Sequence, residues 1–301
     1  MSLNRDRPLS FNAECLLIRN SELGLLAKKL EAASVNNLEC EMKNTKLINE
    51  AVKPELIVIL GATATGKSAL ALELAEKLQT EIISADSMMV YKNFNIGTAK
   101  PTAKELSRVK HHLVDILEPE KRFSVADFQN AASKIIIDLN NRGKIPIVAG
   151  GTGLYIQALI EGYKFKNAED IGDDGKINKS LQSVYKETGE LAYNAKVIGL
   201  TMDRQELYKR INERTRQMFE AGLVDEVKNL LNSGISRNAQ AMLGIGYKET
   251  IEHLDGKLTL DETIEKISQA TRNFAKRQMT WYRRMKYIKW YNANQGIDIF
   301  H

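Results

Sequence analysis

Hydrophobic and polar positions fall into distinct regimes along the chain. Residues 1–53 are polar, hold one weakly periodic helical stretch at 21–33, and read as a flexible N-terminal extension. From residue 55, short apolar runs at 56–60, 81–85, 112–117, 145–149 and 196–201 alternate with helical periodicity at 67–78, 125–141, 153–160 and 204–231. Brief apolar runs separated by helices are the signature of parallel β-α-β units, whose strands are buried on both faces. After Thr201 the pattern predicts helices alone, including one over 260–286. Between 165 and 195 the apolar content drops, and "KNAEDIGDDGKINKS" is a charged, glycine-containing connection, either a surface loop or the remnant of an inserted subdomain. The expected division is 1–53 extension, 54–165 α/β core, 166–195 short insertion, and 196–301 last strand with a helical C-terminal part.

The first strand and helix enclose the chemistry. "LIVILGATATGKS" runs an apolar strand into G-x-x-x-x-G-K-[ST], completed by Gly61, Gly66, Lys67 and Ser68. In such a loop the backbone N–H groups of Gly61, Thr63, Ala64, Thr65 and Gly66 turn inward, the following helix points its positive dipole end at the same cavity, and Lys67 adds a mobile charge. The Ser68 hydroxyl is placed to reach a metal ion shared with the phosphates. The fold class is therefore α/β, a phosphate-loop parallel sheet flanked by helices, but the loop names a ligand group and not a reaction.

Two further stretches follow predicted strands. "IISADSMMVYKNFNIGTAKPT" puts Asp86 just beyond the second, at the edge of a parallel sheet where ligands collect. A lone Asp there is ordinarily a turn or cap residue; beside a phosphate loop it is also placed to act as a base. "IVAGGTGLYIQAL" puts Gly150, Gly151, Thr152 and Gly153 after a later strand, where glycines permit close backbone approach and Thr152 offers a hydroxyl.

Charge matters through its distribution. The 43 Lys and Arg against 38 Asp and Glu make a mildly basic chain. The segment 271–291 has no acidic residue yet holds Arg272, Lys276, Arg277, Arg283, Arg284, Lys286 and Lys289, concentrating a positive field at one end. Phe274, Trp281, Tyr282 and Trp290 in that segment are available either to the core or for stacking. Cys15 and Cys40 have no metal-ligand or redox spacing, no apolar run reaches membrane-span length, and no secretory signal pattern opens the chain. A soluble cytoplasmic protein is expected.

Taken together, "GATATGKS", "ISADSMMVYKNFNIGTAKP", "HHLVDIL", "IPIVAGGTGLYIQALI", "IGLTMDRQELYKRINERTRQMFEAGLVDEV", "AMLGIGYKE" and "ATRNFAKRQMTWYRR" resemble, in order and over about four fifths of the chain, the tRNA dimethylallyltransferase (tRNA isopentenyltransferase) family. The resemblance implies that the loop Gly61, Thr63, Ala64, Thr65, Gly66, Lys67 and Ser68 cradles the pyrophosphate of dimethylallyl diphosphate, with Mg2+ at Ser68. It implies transfer of the allyl group to N6 of the adenosine 3′ of a tRNA anticodon, with Asp86 as general base and Arg214 on the leaving group. Thr152 would contact tRNA near the acceptor base. Ser87, Met88, Met89, Arg272, Lys276, Arg277, Arg283 and Arg284 would join Asp86 and Thr152 in binding tRNA, and the enzyme would act as a monomer. By spacing alone Arg214 reads as one of many solvated cations on a charged helix face.

Three departures stand out. Met89 occupies a position where the family usually carries Gln, so paired hydrogen bonds to the neighbouring nucleotide are lost. The family's helical insertion is reduced to 166–194, with "INKSLQSVYKETGEL" resembling its last helix, and the tRNA clamp would be smaller. Ala62 replaces a frequent proline, a position that contributes backbone geometry only. Alternatives are an isopentenyltransferase for free adenine nucleotides, a small-molecule kinase, and a catalytically impaired RNA-binding protein.

Overall fold

Leu56, Val58 and Leu60 alternate with Ile57 and Ile59, so both faces of the first strand are apolar and both need covering. In the computed structural model, which describes residues 53–165 and 190–295, this strand lies inside a parallel sheet. The strands are β1 (Glu55–Gly61), β2 (Ile82–Ser84), β3 (His111–His112), β4 (Ile147–Ala149), β5 (Asn194–Thr201) and β6 (Lys289–Asn292), in spatial order β3-β2-β4-β1-β5-β6. Val58 faces Val148 on one side and Val197 on the other. The helices are α1 (Lys67–Lys77), α2 (Ala103–Arg108), α3 (Val125–Asn141), α4 (Gly153–Glu161), α5 (Arg204–Glu220), α6 (Leu223–Asn232), α7 (Tyr247–Leu254) and α8 (Leu260–Tyr282).

Strand alternation sorts the core into layers. Leu56, Val58, Leu60 and Val148 pack on Phe128, Ala132 and Ile136 of α3 and on Ile156 and Leu159 of α4. Ile57, Ile59, Ile147 and Ile198, pointing the other way, pack on Ala71, Leu72, Leu74 and Ala75 of α1. A separate cluster joins Val90, Tyr91 and Phe94, from the segment after β2, to Val227 of α6 and to Tyr247 and Ile251 of α7. The segment that carries Asp86 is thereby anchored to the helical C-terminal part. Among the described residues no helix is long and apolar enough to cross a membrane.

Several expectations are corrected. The run 112–117 supplies only His111–His112 to the sheet, because Leu113 and Asp115 turn to positive φ and Leu117 makes a single bridge to Tyr91. The helix expected over 204–231 breaks at Gly222, whose φ of 97° starts α6 afresh. The helix expected over 260–286 stops at Tyr282, since Tyr282, Met285 and Ile288 turn into the core. After it comes β6, a strand not expected beyond Thr201, paired in parallel with β5. Lys289 and Trp290 of the basic segment therefore lie on a sheet edge and not on a helix. Helix α2 also went unforeseen, although Thr102 and Glu105 form its capping box. The helical stretches at 21–33 and in "INKSLQSVYKETGEL", with both cysteines, lie outside the described residues apart from Glu190 and Leu191.

The docking of β6 depends on Gly199 of β5, where a Cβ would come within 2.5 Å of both Ile288 Cγ2 and a Trp290 ring carbon. Gly199→Ala should cost about 1–3 kcal/mol by overpacking, measured by urea denaturation. An unchanged midpoint would contradict this packing.

Candidate active site

The phosphate loop leaves β1 at Gly61 with φ 146°, where a Cβ would sit 2.6 Å from the Leu200 carbonyl oxygen. It turns through Ala64 (φ 64°) and reaches Gly66 (φ 92°), which starts α1 without a side-chain cap. The first-turn amides of α1 are consequently left for an anion. The buried Thr65 hydroxyl and the Lys67 ammonium both donate to the Ala62 carbonyl, at 2.8 and 2.7 Å, and fix the loop's curvature. An Arg214 guanidinium nitrogen donates to the Thr63 hydroxyl at 3.3 Å.

These cations are crowded. Burial, and then the neighbouring Arg214 charge, push the Lys67 pKa down to about 7, with Asp86 opposing the shift. Burial lowers the Arg214 pKa as well, again opposed by Asp86. The site carries more positive charge than Asp86 balances, the condition for binding a polyanion.

Facing the loop are the ends of β2 and β4. The Asp86 Oδ1 accepts from the Met88 amide at 2.8 Å, which sets the carboxylate in a turn with Oδ2 free of that bond. The Thr152 hydroxyl oxygen accepts from the Ser87 amide at 3.0 Å, and the Thr152 amide donates to the Ala85 carbonyl at 3.1 Å. Gly150 lies so close that a Cβ would be 2.3 Å from that carbonyl. Met89 is held by the Ser84 hydroxyl, which donates to its sulfur at 3.6 Å.

Both halves open onto one cleft of about 440 Å³, where Thr63, Lys67, Ser68, Asp86, Thr152 and Arg214 meet. Ala64, Ser87, Met88, Met89 and Arg277 also face it. Gly61, Thr65 and Gly66 shape the loop without lining the cleft. The remaining basic candidates lie elsewhere. Arg272 is engaged by Asn212 and Glu265, each at 2.7 Å, and lies over the Tyr208 ring, whereas Lys276, Arg283 and Arg284 are exposed. Tyr282 is core, Phe274 lines the cleft, and Trp281 lies against Gly153.

Sequence reasoning missed Gln278, buried between the phosphate loop and Gly151, and it missed Glu226. The Glu226 carboxylate accepts from the amides of Asn95, Ile96 and Gly97 and from the Tyr247 hydroxyl at 2.7 Å, fixing the cleft wall at residues 97–99. The available signal was their place within the quoted stretches that hold "RNFAKRQMTWYRR" and "AGLVDEV". Nothing in residue type distinguishes a bracing Gln or Glu from a solvated one.

Among the described residues no group of three or more His, Cys, Asp and Glu could hold a metal. The Ser68 hydroxyl, exposed and lining the cleft that Asp86 also lines, is the side chain that could reach a Mg2+ ion shared with a bound phosphate.

A phosphate loop at the carboxyl ends of a parallel sheet, with a carboxylate across the cleft, defines an α/β protein of the phosphate-loop class. The model of the IPP transferase family matches residues 89–191 and 173–285. A tRNA dimethylallyltransferase of Carboxydothermus hydrogenoformans is 43% identical over 290 residues, covering 80% of this chain and 93% of the relative. That of Bacillus subtilis is 37% identical, covering 82% and 93%. Among solved structures, a tRNA isopentenylpyrophosphate transferase from Bacillus halodurans superposes with a TM-score of 0.71 at 39% identity, covering 82% of this chain and 92% of that one. A eukaryotic dimethylallyltransferase acting on tRNA gives a TM-score of 0.69 at 25% identity, covering 80% and 74%. The chain belongs to the IPP transferase family. The 290-residue alignment takes in only 80% of these 301 residues, so that relative has roughly fifty residues without a counterpart here.

The lowered Lys67 pKa has a testable consequence. An unfolded lysine near 10.5 binds a proton that the folded one, near 7, releases. The cost of burying the charge is therefore present in full below about pH 7 and is relieved as pH rises above it. Lys67→Met should raise stability at pH 6 more than at pH 9. Thermal melts of both proteins across that range measure the difference, and a pH-independent difference would contradict the shift.

Proposed function

We propose that this protein transfers the dimethylallyl group of dimethylallyl diphosphate to N6 of the adenosine 3′ of the anticodon in tRNA, giving N6-isopentenyladenosine. The observation that carries the reading is that Asp86 and Thr152 open onto the same cleft as Lys67, Ser68 and Arg214. Membership of the IPP transferase family, whose relatives named above are tRNA dimethylallyltransferases, supports it.

The exocyclic amine is a weak nucleophile, its lone pair being delocalised into the adenine ring. Asp86, held by the Met88 amide, takes an N6 proton as the nitrogen–carbon bond forms. The allylic carbon–oxygen bond breaks, and the diphosphate leaves with the electron pair. The first-turn amides of α1, Lys67 and Arg214 meet that growing charge from fixed positions. Mg2+ at Ser68, when bound, neutralises part of the diphosphate charge. Thr152 and the residues 87–89 contact the acceptor nucleotides, and tRNA phosphates meet Arg277, Lys276, Arg283 and Arg284. The family match breaks into segments that overlap at 173–191, and the relative's roughly fifty extra residues agree with a reduced tRNA clamp, so binding leans on the basic end of α8. The protein acts in the cytoplasm as a monomer.

Incubation with labelled dimethylallyl diphosphate and bulk tRNA, free AMP or no acceptor tests the reading: label should enter tRNA alone. Label in AMP alone would replace the acceptor. Asp86→Ala should lower turnover by roughly a hundredfold or more with tRNA affinity nearly unchanged, and near-normal turnover would remove Asp86 from the mechanism. The double variant Arg283→Glu/Arg284→Glu should abolish tRNA binding while dimethylallyl diphosphate still binds. Filter binding of wild type and variant at two salt concentrations checks this, with the wild-type affinity expected to fall steeply with salt. Unchanged tRNA affinity would move the contact elsewhere.

A further inference from the structure

The two halves of the cleft come from different loops, one after β1 and one after β4, and among the described residues the Gln278 side chain bonds to both. Gln278 of α8 is buried, 5% exposed, and its Oε1 accepts from the Thr63 amide at 2.8 Å. Its Nε2 donates to the Gly151 carbonyl at 2.8 Å. The amide orientation is fixed by its partners, because the Thr63 N–H can only donate and the Gly151 carbonyl can only accept. At Gly151 a Cβ would lie 2.5 Å from Nε2, so a side chain there would push the Gln278 amide off the Gly151 carbonyl. Thr63 also receives Arg214, and Gly151 immediately precedes Thr152, whose hydroxyl holds the Ser87 amide next to Asp86.

We propose that Gln278 is a positioning residue that sets the distance between the phosphate loop and the Asp86–Thr152 loop, and so aligns donor with acceptor. This rests on the prenyl-transfer reading for its kinetic consequence, though not for the brace itself. Phe274, Gln278 and Trp281 share one face of α8, touching the cleft, both loops and Gly153 in turn. Lys276 is exposed on the same helix, so the element carrying cations for a nucleic acid also holds the phosphate cradle in place. Displacing either loop by an ångström leaves each ligand its own contacts but spoils the line of attack, and such misplacement lowers turnover by about a hundredfold.

The test compares Gln278→Leu, which removes both bonds, with Gln278→Glu, which can still accept from Thr63 but cannot donate to Gly151. Amide hydrogen exchange of 61–68 and 150–153, thermal melts, and kcat and KM for both substrates are measured. Gln278→Leu should lose protection at Thr63 and lower kcat at least tenfold, with each KM within about threefold of wild type. Gln278→Glu should keep Thr63 protection and lose turnover to a smaller degree. A folded Gln278→Leu with kcat within threefold of wild type would overturn the proposal, as would unchanged Thr63 exchange. If Gln278→Leu does not fold, Gln278→Glu decides by the same kcat criterion. Should the wild type prenylate no acceptor, the functional reading fails, and the exchange data alone judge the brace.

Discussion

The site depends on how closely the ends of neighbouring strands, β1 with β5 and β2 with β4, approach each other. Gly61 lies against the Leu200 carbonyl and Gly150 against that of Ala85, at separations no side chain tolerates. Because β1, β2 and β4 converge there, the loops that follow them face one cleft instead of three separate surfaces. The parallel sheet makes this possible: every strand ends on the same side, and its buried, two-faced packing between α1 on one side and α3 with α4 on the other holds the ends rigid.

Upon that frame the electrostatics are deliberately unbalanced. Lys67 and Arg214 are brought together with Asp86 as the acid both of them feel, and the burial that makes the loop rigid also disfavours their charged forms. In the proposed reaction a diphosphate would relieve the imbalance on binding, and its departing charge would meet donors already oriented.

The helical C-terminal part contributes more than a covering. Helices α6 and α7 clamp the segment after Asp86 through Glu226 and Tyr247, and α8 reaches between the loops with Gln278. These contacts span residues far apart in sequence, and they tie the Asp86 side of the cleft to the helical C-terminal part.

Local pattern determined much of this protein. Apolar runs placed β1, β2, β4 and β5, periodicity placed α1 and α3, and the spacing of Gly61, Gly66, Lys67 and Ser68 placed the phosphate loop, because each is a short-range consequence of backbone geometry and burial. The places of Asp86 and Thr152, just past strand ends, were legible for the same reason. What depended on distant partners was not legible. The edge strand β6 is four residues long and exists because Gly199 leaves room for Ile288 and Trp290. Arg272 was expected among the tRNA-binding cations; in the fold Asn212 and Glu265 engage it, while Arg277 of the same helix reaches the cleft. Gln278 and Glu226 gained their roles from backbone groups more than a hundred residues away in sequence. A sequence specifies which groups a residue offers, and only the folded chain brings to them the donors and acceptors that decide what they do.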